Sequence, residues 1–131
     1  MEIVLAGFID YDFSGYDGFQ HLKLRTEEGY KIDLVYRFAE LRDSFRGNFL
    51  VSYYLCDHSC TKEEAMVGFL NQFEGNIEAE YRAEYYEYSE WSKGMEHDTT
   101  LSVGGHCLLT ELGVKRGKFC VLTIETIEEN K

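Results

Sequence analysis

Cysteine and histidine are the residue types in this chain that are best suited to metal binding. Cys56 and Cys60 flank His58, and His106 and Cys107 are adjacent further along the chain. Thiolate and imidazole groups are the usual ligands of tetrahedral zinc. These residue types therefore suggest one alternative role for the chain, a zinc site formed by Cys56, Cys60, His106 and Cys107. The spacing argues against it, because the second pair consists of adjacent residues and a strand-to-helix turn explains the first pair equally well. No metal ion and no other cofactor is predicted.

Catalytic use of these side chains is not predicted either. Four cysteines and four histidines make cysteine–histidine pairs inevitable by number alone. The glycine pair Gly104 and Gly105 lacks the lysine and the serine or threonine of a phosphate-binding loop. We therefore predict that the chain is not an enzyme. The alternative is a small enzymatic or small-molecule-binding domain with a pocket lined by aromatic and histidine side chains. Its candidate lining residues are Tyr11, Phe13, Tyr16, His21 and His106.

Carboxylates and aromatic rings are concentrated between residues 74 and 98. Eight acidic side chains, four tyrosines and the single tryptophan fall there, against only Arg82 and Lys93. The segment therefore carries −6 (eight acids minus two bases) of the formal net charge of −11. A single carboxylate is ordinarily part of a solvated face. The clustering, however, combines long-range attraction for basic surfaces with the rigid contact area that interface hot spots use.

This segment is the predicted partner-binding site. Its residues are Glu78, Glu80, Glu84, Tyr85, Tyr86, Glu87, Tyr88, Glu90 and Trp91. An acidic surface repels nucleic acid and anionic lipid, so the chain is predicted to bind neither directly. The expected partner is a basic protein surface, such as that of a nucleic-acid-binding protein. A homo-oligomer formed by edge-to-edge pairing of the aromatic strand stays open as an alternative.

Length and composition indicate one domain over residues 1–131. A hydrophobic fraction of 44% with 15% aromatic residues is enough for a packed core, which excludes a disordered acidic tail. Residues 1–5 lack the basic region of a signal peptide, and no segment has the length of a membrane span. A cytoplasmic location is expected. Since thiols stay reduced there, all four cysteines are predicted to be free.

Apolar patterning predicts an α+β fold, mainly an antiparallel sheet or small barrel with two to three short helices. Strands are predicted over residues 3–9, 19–25, 30–32, 49–55, 99–103 and 118–124. A turn is expected at residues 27–29. The apolar stripe Leu34, Phe38, Leu41 and Phe45 predicts a helix from the N-cap Asp33 to Gly47.

Two more helices are predicted. A capping box formed by Thr61 and Glu64 opens the first, which is expected to continue through Met66, Phe69, Leu70 and Phe73 to Gly75. The second covers residues 106–112. The strands predicted over residues 49–55 and 118–124 each follow a helix, a basic residue and a glycine. This similarity suggests a ββαβ pseudo-repeat. Convergent turn chemistry is the alternative explanation.

The acidic segment permits two interpretations. As a strand it places Ile77, Ala79, Tyr81, Ala83 and Tyr85 inward. As a helix it forms the stripe Ile77, Tyr81, Tyr85, Tyr88 and Trp91. Alternation over nine residues and the richness in tyrosine favour the strand.

The segments YDGFQHLKLRTEEGYKIDL (residues 16–34) and VGGHCLLTELGVKRGKFCVLTIE (residues 103–125) resemble small uncharacterised proteins of bacteriophages and prophages of Gram-positive bacteria. The resemblance covers most of the chain and carries no activity motif. It implies a phage-encoded accessory protein in the bacterial cytoplasm. Many small acidic phage proteins block host defence, as anti-CRISPR proteins and DNA mimics do. The expected function is therefore inhibition of a nucleic-acid-binding defence system by occlusion.

Overall fold

The computed structural model describes residues 2–12, 18–65, 71–89 and 92–127, without the side chains of residues 86, 88, 89, 92 and 93. The strands within these ranges are β1 (Glu2–Asp12), β2 (His21–Arg25), β3 (Lys31–Asp33), β4 (Asn48–Cys56), β5 (Asn71–Gly75), β6 (Ile77–Ser89), β7 (Ser92–Val103), β8 (His106–Cys107) and β9 (Phe119–Ile127). The helices are α1 (Leu34–Ser44), α2 (Lys62–Ala65) and α3 (Leu108–Gly113). The α+β class with a mainly antiparallel sheet is confirmed.

The strands form two sheets in which every pairing is antiparallel. One sheet has six strands in the order β3-β2-β1-β9-β4-β5, and the other has three in the order β6-β7-β8. The last strand, β9, lies in the middle of the larger sheet. It pairs with β4 from Asn48↔Ile127 to Cys56↔Phe119 and with β1 on its other side. The larger sheet is therefore complete only when the C-terminal strand is in place.

The order of elements agrees with the proposed pseudo-repeat. The units β2-β3-α1-β4 and β7-β8-α3-β9 each contain two paired strands, a helix and a strand. One additional strand, β1, precedes the first unit, and two, β5 and β6, precede the second. In the first half, β1 pairs through residues 2–8 with β9 and through residues 8–12 with β2. In the second half, β5 pairs with β4 and β6 pairs with β7. In the second half, β5 and β6 therefore make separately the two pairings that β1 makes alone in the first half.

Helix α1 forms where the apolar stripe predicts it. The backbone N–H of Tyr36 donates to the Asp33 carboxylate at 3.2 Å, so Asp33 is the N-cap. The side chains of Leu34, Phe38 and Leu41 are buried. The helix ends at Ser44 rather than Gly47, because the next residue, Phe45, is extended and packs edge-to-face on Phe49.

The core lies between the sheets and the helices. Large side chains with less than 2% exposure come from both halves, including Leu22, Phe38, Tyr53, Leu101 and Leu122. Burying a side chain of this kind stabilises the folded state by roughly 1.5–3 kcal/mol. One cluster therefore holds the two sheets together. Across the described part of the chain, no helix is long and apolar enough to cross a membrane.

The helix predicted to run from Thr61 to Gly75 is wrong in its second part. The capping box exists, since the N–H of Glu64 donates to the Thr61 hydroxyl at 3.2 Å, but α2 is described only over Lys62–Ala65. Residues 66–70, including Met66, Phe69 and Leu70, lie outside the described residues. Phe73 belongs to β5, where it is paired with Val51 of β4. Pairing with Val51, 22 residues earlier, overrides the local helical spacing.

The helix predicted over residues 106–112 begins two residues late. His106 and Cys107 form β8, which pairs with the end of β7 through Ser102 and Val103. Helix α3 then starts at Leu108 and buries Leu109 and Leu112. The Gly104-Gly105 turn allows the chain to reverse tightly enough for this short pairing, since both glycines have positive φ.

Two glycines allow the backbone of the β5–β6 junction to cross the turn after β7. The N–H of Gly104 donates to the carbonyl oxygen of Asn76 at 3.0 Å. A Cβ atom on Gly75 would lie 2.5 Å from the Cα atom of Gly104, and a Cβ atom on Gly104 would overlap the carbonyl oxygen of Glu74. Only residues without a side chain permit this contact, which joins the two sheets.

We expect the substitution Gly104→Ala to destabilise the fold far more than Gly105→Ala. Both residues have positive φ, which costs alanine about 1–2 kcal/mol. A Cβ atom on Gly105 meets no heavy atom within 4 Å, whereas Gly104→Ala adds a backbone clash that costs about 1–3 kcal/mol more. Urea unfolding of the two variants measures the difference. Equal losses of unfolding free energy would show that the crossing can relax without cost.

Candidate functional site

The acidic segment is one strand of a long hairpin. Strands β6 and β7 pair from Ile77↔Val103 to Ser89↔Ser92, with an irregularity between Glu87 and Ser89. The strand interpretation is confirmed, and the helical alternative is wrong. Strand β7 begins well before the predicted residue 99, because its first part is polar and gains its structure from pairing with β6 rather than from apolar alternation.

Only the first part of this hairpin faces the core. Ile77 and Ala79 are buried, and Tyr81 is half-buried. Ala83 and Tyr85 were predicted to face inward, but both are exposed, Tyr85 by 59%. Their prediction is wrong because the hairpin extends past the edge of the core. From residue 82 onward, the described side chains of β6 are exposed, while His97 of β7 is half-buried against the ring of Phe19.

One face of the hairpin, here called the acidic face, collects exposed carboxylates. Glu78, Glu80 and Glu84 occupy alternate positions of β6, and cross-strand partners share a face in antiparallel pairs. The pairs Arg82↔Asp98 and Glu84↔Glu96 therefore add two acids from β7. The charged residues of the acidic face are Glu78, Glu80, Arg82, Glu84, Glu96 and Asp98, with a net charge of −4 (five acids minus one base).

The few basic groups nearby do not neutralise the acidic face. Arg82 forms an ion pair with Glu84, and about half of each side chain is exposed, so the pair contributes little stability. Arg42 of α1 lies beside Glu78 and Glu80 in a surface cleft of about 290 Å³. Its guanidinium is already paired with Asp43 at 3.1 Å. The carboxylates thus remain available to an external partner.

The other predicted binding residues are placed differently. Tyr85 and Glu87 lie on the opposite face of the hairpin, because they occupy odd positions of β6. Glu90 and Trp91 lie outside the described residues, as do the side chains of Tyr86 and Tyr88. Glu96 and Asp98 were not among the predicted site residues. Only the hairpin register reveals them, since it pairs β7 with the acidic positions of β6.

The Asp33 carboxylate is one of the groups that attach the hairpin to the body of the protein. The Tyr81 hydroxyl donates to one oxygen of Asp33 at 2.7 Å, while the other oxygen caps α1. Nδ1 of His21 lies 3.0 Å from the same hydroxyl. The rings of Phe19, His21 and Tyr36 surround Tyr81 with centroid distances of 5.0–5.2 Å. This anchor sits where the buried part of the hairpin ends.

The residues predicted to line a pocket have other roles. The Tyr11 hydroxyl donates to Gln20 at 3.0 Å, His21 contacts Tyr81, and the ring of His106 packs on Phe73. Three surface clefts of about 290–390 Å³ are lined by other residues. Phe13 and Tyr16 lie outside the described residues. Nothing described supports a shared pocket for this set.

The cysteines differ from the predicted set of four free thiols. Cys56 and Cys60 are joined by a disulfide across the turn between β4 and α2. Cys107 is exposed, and burial raises the pKa of the Cys120 thiol to about 12. The disulfide occupies two ligands of the alternative zinc site. Among the residues described, no group of three histidine, cysteine or acidic side chains is arranged to hold a metal ion.

Comparisons of the chain with models of known protein families, with curated proteins and with solved structures gave no match. The resemblance to phage and prophage proteins therefore stays a prediction. The roles of the residues above follow from their own contacts and charges.

We expect Tyr81→Phe to lower the free energy of unfolding by about 1–2 kcal/mol, since a hydrogen bond to a partly buried carboxylate is lost. Tyr85→Phe is the matched control on the same strand and face. Its exposed hydroxyl makes its effect smaller than about 0.5 kcal/mol. Chemical denaturation measures both, and equal effects would refute the anchoring role of Tyr81.

Cysteine labelling tests the thiol assignment. An alkylating reagent at neutral pH should modify the native, unreduced protein once, at exposed Cys107, because the buried Cys120 is inaccessible and protonated. Unfolding without reductant should raise the number to two, and reduction should raise it to four. Intact mass spectrometry counts the additions. Four additions to the unfolded, unreduced protein would contradict the disulfide.

Proposed function

We propose that this protein is a non-enzymatic binding module whose acidic face occupies the basic surface of a nucleic-acid-binding protein and blocks it by occlusion. The observation that carries the proposal is the excess of exposed carboxylates, five against the single base Arg82, on one face of the hairpin. Charges in this position contribute little to folding stability. They do create a negative potential toward which a basic partner is drawn.

The density of charge supports mimicry of nucleic acid. Residues 78 to 84 span about 20 Å at the ordinary rise of a strand. A net charge of −4 over this length gives one negative charge per roughly 5 Å, compared with one per about 3.4 Å along a single DNA strand. A groove lined by lysine and arginine would meet a comparable field on either ligand. Rim charges of this kind mainly accelerate association and select the partner.

The biological setting proposed here follows from the resemblance to phage and prophage proteins. A host defence protein that holds nucleic acid in a basic groove fits both that resemblance and the charge of the acidic face. Occlusion requires no catalytic group.

Affinity capture from bacterial lysate tests the proposal with three baits. These are the unmodified protein, the double variant Glu80→Gln with Glu84→Gln, and the control Glu27→Gln with Glu28→Gln, which removes the same charge from an exposed turn. We expect the unmodified and control baits to retain the same nucleic-acid-binding protein at about 0.1 M salt and to release it at about 1 M salt. The acidic-face variant should bind it at least about fivefold more weakly, at roughly 1 kcal/mol for two charges.

The retained protein must then lose its binding to DNA when the unmodified protein is added. Equal retention by all three baits would contradict a role for the acidic face. A partner that binds DNA and this protein at the same time would contradict occlusion.

A further inference from the structure

Strand β6 has an open edge. It is the outer strand of the sheet β6-β7-β8, with β7 on one side. Helix α1 covers its first part, where Nη1 of Arg42 donates to the carbonyl oxygen of Ala79 at 2.9 Å. Beyond Tyr81, no backbone pairing on this side is found among the described residues. The exposed edge therefore begins at residue 83.

Two hydrogen bonds show which backbone groups point outward. The carbonyl oxygen of Asn76 accepts from Gly104, on the β7 side, whereas that of Ala79 accepts from Arg42, on the opposite side. Successive residues of a strand direct their backbone groups to alternate sides, and the register is regular up to Glu87. The N–H and C=O groups of Ala83 and Tyr85 therefore point away from β7 into solvent.

The outer part of the hairpin is also incomplete as a structural unit. Two strands without a covering layer are marginally stable in water. The face opposite the acids presents the apolar side chains of Ala83, Tyr85 and Met95, and the last two are 59% and 53% exposed. His97, whose ring packs on Phe19, and Glu87 lie on the same face to either side of them. Backbone donors and acceptors, an apolar face and an acidic face thus lie together on one short segment. A third strand with apolar and basic side chains would bond to the backbone groups, cover the apolar face and meet the charge of the acidic face.

We infer that an extended basic segment of the partner adds to this edge as an antiparallel strand beside residues 83–85. This inference rests on the proposed function and specifies how the partner is held. Residues of the added strand opposite Ala83 and Tyr85 lie on the apolar face, and the residues between them lie beside Glu84. The fitting sequence therefore alternates apolar and basic residues.

Charge selects this occupant over a second copy of the chain. Self-pairing would bring two acidic faces together in a protein with a net charge of −11, and like charges opposed across an interface are unfavourable. Lysine or arginine side chains would instead meet Glu80 and Glu84. Antiparallel addition continues the only pairing type found among the described strands.

Three peptides of about eight residues, the ordinary length of a strand, test the inference. The first alternates lysine and valine. The second carries N-methyl groups on the valine amides, which would point at β6, and the third carries them on the lysine amides, which would point away. We expect the second peptide to bind at least about tenfold more weakly than the first, and the third to stay within about threefold, by titration calorimetry.

The outcomes separate the inference from the proposed function. Equal binding of all three peptides would overturn strand addition, while the capture experiment could still succeed through the acidic face alone. Peptide binding that is unchanged in the variant Glu80→Gln with Glu84→Gln would overturn the choice of a basic occupant. A stable dimer in sedimentation equilibrium that excludes the peptide would assign the edge to a second copy instead.

Discussion

The antiparallel pairing of β4 with β9 is the constraint on which the rest of the structure depends. These strands end the two halves of the chain, and nine residue pairs hold them together in the middle of the larger sheet. Their inward side chains, among them Tyr53 and Leu122, form the centre of the core. Each half then attaches its own strands and helix to this centre. The position of the acidic hairpin follows from it, since β5 pairs with β4 before the chain turns into β6.

Much of the scaffold was predictable because its signals are local. The apolar run over residues 49–55, the N-cap at Asp33 and the Thr61 capping box depend on neighbours within one strand or one helical turn. Phe73 was misassigned because its strand is set by pairing with Val51. The disulfide was missed because an expected reducing compartment, rather than geometry, decided the state of Cys56 and Cys60.

The candidate site was predictable only in part. The alternate spacing of Glu78, Glu80 and Glu84 identifies one row of the acidic face. The second row depends on the register with β7, which no local pattern reveals. Alternation also predicts Tyr85 to be buried, because a sequence pattern does not show where a core ends. The second role of Asp33, as acceptor for Tyr81, depends on two residues 48 positions apart.

The repeated order of elements has a consequence for how such a protein can change over generations. The two halves share a plan, but among the described residues five positions are paired between β1 and β2 in the first half, and twelve between β6 and β7 in the second. The surplus length lies outside the core. Substitutions in that part of the hairpin can accumulate without lowering the stability of the core. The surface of the hairpin could therefore change from one sequence to the next while the packing of the core stays the same.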